Sequence, residues 1–500
     1  MSVGRTIAVM DVGSNSVRLL VVRELSPVAF EVIDEERFDA RLGQGQVGDT
    51  LAPAALERGA EAMRLVSQVA RSYGPATTVV VGTEALRRAS NAPAFIADVE
   101  RQTGLHVRLL SAFEEAYASF LGVINSTGLR DGWIVDIGGG SLEFMRVQGR
   151  GLAASTSVPL GAIYAAEQYL RTDPPTHKEV RSLRRAVRQG LDSPSPPPSE
   201  TLYGVGGAIR NLARIIRQRK KYPLRRLHGL TIERPDLQRL VRTLASATAD
   251  ERRAMPGIGP ARADTLHAAA IVVDEVMELS GARRLWVTGQ GLREGLVWQE
   301  LRGDAAVLPD VRAASISGLA RANGVDDLAA EPVVSAAAQL FEATRGLHGL
   351  DSSDRDLLLD AARLAGIGMH IDYYNRDRHA EYLVHSGDLH GFTHREIVLL
   401  AELVRCADSG SPDFGSYAAL VRAEDSRRVS TLAAMLGAAR AVRRRRPSPV
   451  LAVETAVVRD QLHITLRGRG ALDAELISLG RQQKRLAAAL KVSVEVSVAE

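Results

Sequence analysis

Ile7-Ala-Val-Met-Asp-Val-Gly-Ser-Asn-Ser-Val-Arg-Leu-Leu-Val-Val22 reads as an apolar strand, a turn of small polar residues, and a second apolar strand broken only by Arg18. Trp133-Ile-Val-Asp-Ile-Gly-Gly-Gly-Ser-Leu-Glu-Phe-Met-Arg-Val147 repeats that form, and Asp11 and Asp136 head the two turns 125 positions apart. Between them the periodicity predicts a helix over 54–72, a strand over 77–82, a helix over 92–103 and a strand over 106–110. Alternating strands and helices make the class α/β. The repeat at domain-sized separation predicts two related halves facing one cleft, with chance recurrence of a common turn as the alternative.

The first turn holds Gly13, Ser14, Asn15 and Ser16. Glycine lets backbone approach an anion closely, and the short side chains add donors. Alone, such a turn is more often an ordinary hairpin. The second turn is harder to explain by folding, because Gly138, Gly139 and Gly140 before Ser141 cost conformational entropy inside a strand pair. Successive free N–H groups there form an anion nest. Asp136 and Glu143 flank it and a hairpin brings them together. Carboxylates beside a phosphate repel it unless a cation intervenes, which predicts Mg2+ or Mn2+ on Asp136 and Glu143 with Asp11 as a helper. Glu114 and Glu115 open a helical pattern after the strand ending at Leu110. Acids suit a first helical turn in any protein, and a carboxylate at a strand-to-helix junction can also orient a water. Arg87 and Arg88 follow the 77–82 strand, where they either grip a phosphoryl group or stand as a surface pair.

Working outward, 500 residues exceed one ordinary core, so three or four domains are expected. The 45% hydrophobic and 24% charged content is that of a globular protein. No apolar run can span a bilayer and no secretory signal precedes Asp11, while Cys406 is the only cysteine. A cytoplasmic setting without disulfides or membrane contact is therefore expected. Only five of the 63 Lys and Arg residues are lysine. Arginine clusters at 181–188, 217–226 and 440–446 are each compatible with a solvated helix face, and together with a path for a polyanion. Residues 192–200, DSPSPPPSE, form a linker-like stretch. Glycine turns at 204–207 and 289–291 each follow an apolar strand and precede a helical pattern. From about Asp310 helical periodicity prevails to about Arg446. Strands are then expected at 450–458, 462–466 and 492–498, with a helix over 471–490.

DVGSNSVRLL, GTEALRRASN, LLSAFEEA and VDIGGGSLE, in this order and spacing, resemble the exopolyphosphatase and guanosine pentaphosphatase (Ppx–GppA) family of the actin-like ATPase superfamily. SVPLGAIYAAEQYLRTDPP, YGVGGAIRNLARI, YPLRRLHGL, MPGIGPARAD and GLREGL extend the likeness. The resemblance implies two actin-like, ribonuclease H-like lobes forming a cleft (1–124 and 125–305), an all-α HD-like domain (306–446) and a small α+β domain (447–500). It implies Glu115 as the catalytic base, Asp136 and Glu143 with Asp11 as metal residues, and Gly13–Ser16 and Gly138–Ser141 as phosphate loops, with Arg87 on the substrate. Exopolyphosphatase activity on inorganic polyphosphate is the implied function, with Mg2+ or Mn2+, a monovalent cation such as K+, and a homodimer. Guanosine pentaphosphate (pppGpp) hydrolysis, an alarmone or polyphosphate sensor, and an actin-like kinase are the alternatives; no specific nucleic acid is implied. The helical domain departs from its relatives: Ala365 and Gly366 stand where an HD phosphohydrolase has its His-acid pair. His370, His379, His385, His390 and His394 cluster nearby, and no metal site is expected there.

Overall fold

The computed structural model describes residues 4–46, 48–191, 199–259, 262–443, 445 and 448–499. Most of the linker-like stretch (192–198), residues 260 and 261 of MPGIGPARAD, and residues 444, 446 and 447 lie outside these. The chain divides into two compact units, Met1–Val311 and Arg312–Glu500.

The first unit holds two sheets. Strands β1 (Thr6–Val12), β2 (Val17–Ser26), β3 (Ala29–Phe38), β4 (Thr77–Gly82) and β5 (Arg108–Leu109) pair in the order 3-2-1-4-5. Strands β6 (Gly132–Ile137), β7 (Leu142–Gln148), β8 (Gly151–Val158), β9 (Thr201–Val205), β10 (Thr231–Glu233) and β11 (Arg284–Val287) pair in the order 10-11-9-6-7-8. Without the edge strand β10, the second order repeats the first. In each sheet an antiparallel meander joins a parallel partner on its central strand, β1 to β4 and β6 to β9. This duplicated α/β arrangement is of the actin-like type.

Two outer strands depart from the sequence reading, β3 by its presence and β5 by its length. β3 reads AFEVIDEERF, in which Glu31, Asp34, Glu35 and Glu36 interrupt the apolar alternation of a half-buried strand. The strand expected over 106–110 shrinks to two exposed residues, because only Arg108 and Leu109 find partners on β4.

Helices Ala112–Ile124 and Leu292–Arg302 pack against each other and knit the two sheets together. Ala118, Leu296 and Val297 join Ile7, Val9 and Leu20 in one core cluster, while Ala116, Phe120 and Leu121 join Ile134 and Met145 in another. The helices approach closely because glycine faces backbone: a methyl at Gly122 would lie 2.1 Å from the Gly291 carbonyl oxygen, and one at Gly295 1.8 Å from that of Ala118. This contact seats the N-terminus of the first helix, with Glu115, between the sheets.

The second unit is helical as far as Val442, around a core that includes Phe341, Leu358, Phe392 and Leu432. Strands β12 (Val450–Val458), β13 (Gln461–Gly468) and β14 (Ser493–Val498) then form a three-stranded sheet covered by helix Asp473–Leu490. Among the described residues no helix is long and apolar enough to cross a membrane.

Candidate active site

The two small-residue turns share one crevice. Each is closed by the same hydrogen bond, Gly13 N–H to Ser16 O (3.1 Å) and Gly138 N–H to Ser141 O (3.0 Å). The turns touch, since a methyl at Gly139 would sit 2.9 Å from Ser14 Cβ and 3.5 Å from the Asn15 nitrogen. Carbonyls of the second turn point away from the crevice. Gly138, Gly139 and Gly140 oxygens accept from Ala162, Ile163 and Gly161 N–H at the start of helix Ala162–Tyr169. Among the described residues the Ser14, Asn15, Gly139 and Gly140 N–H groups donate to no protein acceptor. Aligned, unspent donors of this kind bind anions.

Asp11 and Asp136 are the penultimate residues of β1 and β6, and the Asp136 register partner on β7 is Glu143. Ser119 Oγ donates to Asp136 Oδ2 (2.7 Å) and Ser157 Oγ to Glu143 Oε1 (3.0 Å), fixing both carboxylates. Ser119 lies one helical turn beyond Glu115, so a single helix face carries the candidate base and the group that orients Asp136. Burial raises the pKa of Asp11, Asp136 and Glu143 above the ordinary carboxylate range. For Glu143, the Glu115 and Asp136 charges push it further. Glu115 is pushed up to about 7, chiefly by burial, against the lowering effect of Arg87.

Arg87 Nη1 contacts Glu115 Oε2 at 2.7 Å and the Leu110 oxygen at 2.8 Å. It is placed on the candidate base, and the residues lining the crevice do not include it. Arg88 pairs with Glu84 (2.9 Å) rather than with the turns. Glu84 was not singled out from the sequence, yet it is buried between the loops. Ser14 Oγ donates to it at 3.4 Å, and a methyl at Gly140 would fall 1.8 Å from its Oε2. The third glycine of the triplet thus leaves room for a carboxylate from the other lobe.

Four arginines were also missed. Arg18, Arg210, Arg262 and Arg293 line the crevice. Arg18 is the register partner of Asp11 on β2, and that register was the available signal. Gly207 opens helix Gly207–Arg219, and a methyl there would meet the Arg262 guanidinium at 2.6 Å and that of Arg18 at 3.2 Å. Burial, and then each other's charge, lowers the Arg18 pKa to about 9. Arg210 is held by the Gly289 oxygen (3.0 Å) and Arg293 by Glu35 (2.6 Å) and the Leu19 oxygen (3.1 Å). Arg262 Nε and Asn15 Nδ2 are buried donors without a protein partner, as suits a phosphate. Arg184 and Arg188, in the first basic cluster, are instead held by Asp274 and Glu275.

The metal expectation meets two observations. Asp11 Oδ1 is a buried acceptor with no partner, and crowded carboxylates with raised pKa values favour a cation. Among the described residues, however, no three His, Cys, Asp or Glu groups gather closely enough to hold an ion alone. Mg2+ needs no such cage; one or two carboxylates, waters and substrate phosphates suffice. The residues fit an ion shared with substrate.

A duplicated actin-like cleft thus holds two touching small-residue turns whose free N–H groups can meet an anion, with buried carboxylates beside them. The sequence matches the Ppx/GppA phosphatase family over residues 21–303 and domain III of that family over 311–477, so the chain belongs to the Ppx/GppA phosphatase family. These are phosphoanhydride hydrolases. Among solved structures, the Aquifex aeolicus family member is 26% identical over 60% of this chain and 99% of its own, with a TM-score of 0.53. An exopolyphosphatase from Cytophaga hutchinsonii is 22% identical over 61% of this chain and 100% of its own, with a TM-score of 0.56, a likeness of fold.

Proposed function

We propose that this protein is a cytoplasmic exopolyphosphatase that removes terminal orthophosphate from inorganic polyphosphate. The observation that carries the reading is the contact between the two turns, whose unspent N–H groups face one crevice with Glu115 beside it. The crevice encloses about 110 Å3. That is small beside the roughly 300–1,000 Å3 of drug-sized ligand sites, as suits the terminal phosphates of a substrate whose remainder stays outside.

In this mechanism the Gly13–Ser16 and Gly138–Ser141 amides, Asn15 and the Arg18 and Arg262 guanidiniums hold the last phosphates of the chain. Donors placed where charge develops stabilise the transition state of phosphoryl transfer. Glu115, steadied by Arg87, accepts a proton from water as its oxygen attacks the terminal phosphorus in line. The phosphorus–bridging-oxygen bond breaks, and the shortened chain leaves with the electron pair. Asp11, Asp136 and Glu143 are the residues that would hold a divalent cation, which when bound would supply neutralisation of the negative charge on the substrate. A base with a pKa near 7 is half ionised at neutral pH, which suits the role.

Phosphate release from long polyphosphate, short polyphosphate and guanosine pentaphosphate, with and without Mg2+ or Mn2+ and K+, tests the reading. Polyphosphate turnover at the highest kcat/KM is expected; preference for guanosine pentaphosphate would replace this substrate with the nucleotide, and metal-independent turnover would remove the cation. The family resemblance also carries a homodimer, which particle mass in solution tests.

A further inference from the structure

The second unit contains a cavity of about 720 Å3 whose charge is opposite to that of a metal site. Arg363, Arg376, Arg440, Arg443 and Arg481 line it, and Asp408 is the only carboxylate among the lining residues. The arginines come from four helices, Ser352–Leu364, Arg376–Ser386, Asp425–Val442 with its C-cap, and Asp473–Leu490, so they are not one solvated helix face. Arg363 and Arg440 complement the C-terminal ends of their helices, but Arg376 stands in a first turn, where a cation is disfavoured.

Internal pairing leaves this charge largely unspent. Asp408 holds Arg376 (2.7 Å) and Arg440 (3.2 Å), and Asp377 adds a contact to Arg440 at 3.3 Å. The nearest acid to Arg363 is Asp360 at 3.8 Å, which Arg312 already engages at 2.7 Å. Among the described residues Arg481 makes no ion pair, and Arg443, whose Nη1 donates to the Val450 oxygen, has a buried Nε without a hydrogen-bond partner. Guanidinium groups gathered around one space repel one another and gain most from a multiply charged anion offering paired oxygens. The remaining wall mixes small apolar residues, including Val325, Val333 and Ala441, with the neutral polar side chains of Asn323, Ser478 and Gln482 and with His370, while Ala365 and Gly366 present no metal donors.

We propose that this cavity binds a short chain of condensed phosphates, free or carried by a nucleoside. Its volume lies within the range of about 300–1,000 Å3 usual for small-molecule sites. Residues 365 and 366, where the family resemblance placed a His-acid pair, serve here to open the space, and the arginines above them recognise the anion.

Calorimetric titration of the full-length Glu115→Gln chain with GTP and with sodium tripolyphosphate tests this without hydrolysis. Binding is expected to weaken by about tenfold or more in an added Arg363→Glu/Arg481→Glu pair, since two attractive contacts become repulsive. It should persist in an added Arg18→Gln change, which affects the cleft of the first unit. Arg427→Glu/Arg469→Glu, two exposed arginines outside the cavity, serves as the control for diffuse charge. The proposal is overturned by equal weakening in the control pair, by loss of all binding with Arg18→Gln, or by no binding at millimolar ligand to chains whose circular dichroism is unchanged. Tighter binding of GTP identifies the nucleoside-borne form, and equal or tighter binding of tripolyphosphate identifies the free chain; either supports the site.

Discussion

The two hairpins that build the cleft share one backbone plan and differ in charge. Strand β1 pairs with β2 so that Asp11 faces Arg18, whereas β6 pairs with β7 so that Asp136 faces Glu143. Both turns close with the same glycine-to-serine hydrogen bond. In the first hairpin the Arg18 charge counters the effect of burial on Asp11. In the second, burial and like charge act together on Glu143. In the proposed mechanism the duplicated halves would divide the work: the first would meet the anion with the Arg18 guanidinium beside Asp11, and the second would add the carboxylate pair Asp136 and Glu143 for a cation.

The largest expected effect falls on the group between the hairpins. Glu115→Gln should lower phosphate release by about a thousandfold, within the range for loss of a general base, while polyphosphate binding is retained. Undiminished turnover would remove Glu115 from the chemistry.

Next come the residues that differ between the hairpins. Arg18→Gln should raise KM by about ten- to a hundredfold through loss of a charged hydrogen bond to substrate. Glu143→Gln should instead lower kcat and weaken metal dependence; matching kinetic profiles for the two variants would break the division of labour. Stability offers a second readout. Glu115, Asp136 and Glu143 have raised pKa values in the folded state, so folding is favoured while they are protonated. In metal-free buffer the melting temperature should therefore fall as pH rises from the ordinary carboxylate range through about 7, where Glu115 ionises. Glu143→Gln should flatten that fall, and Mg2+ should offset it in the parent chain.

A smaller effect separates the turns sterically. Gly140→Ala forces Glu84 aside and should cost about 1–3 kcal/mol by overpacking. Glu84→Ala in the same chain should recover most of it, and no recovery in denaturant titration would assign the strain elsewhere. The smallest effect concerns Arg87. Because its charge lowers the Glu115 pKa, Arg87→Met should move the ascending limb of kcat/KM to higher pH. An unmoved limb would leave Arg87 a structural role only.

Much of this was legible in the chain, for local reasons. Helix Ala92–Thr103 and strand Thr77–Gly82 fall where their periodicity placed them, since apolar spacing and glycine or proline punctuation are local signals. The Asp136–Glu143 pairing follows from a hairpin closed by three glycines. The role of Arg88 beside Glu84, and the commitment of Arg87 to Glu115, were not legible, because a guanidinium takes whichever carboxylate the tertiary contacts bring near. The arginine cluster at 440–446 reads as surface in one dimension, yet Arg440 and Arg443 face a cavity made by helices far apart in the chain.

By itself, the amino-acid sequence determined the duplicated strand–turn–strand units, the α/β class and the identity of the loop glycines, because each depends on residues within one hydrogen-bonded turn of one another. Only the tertiary structure decided that the two turns touch, that Glu84 crosses from one lobe to fill the space above Gly140, and that Arg18 and Arg262 meet at Gly207. Those are contacts between segments dozens to hundreds of residues apart. They follow from the close, glycine-mediated packing of helix Ala112–Ile124 on helix Leu292–Arg302, which no local pattern encodes.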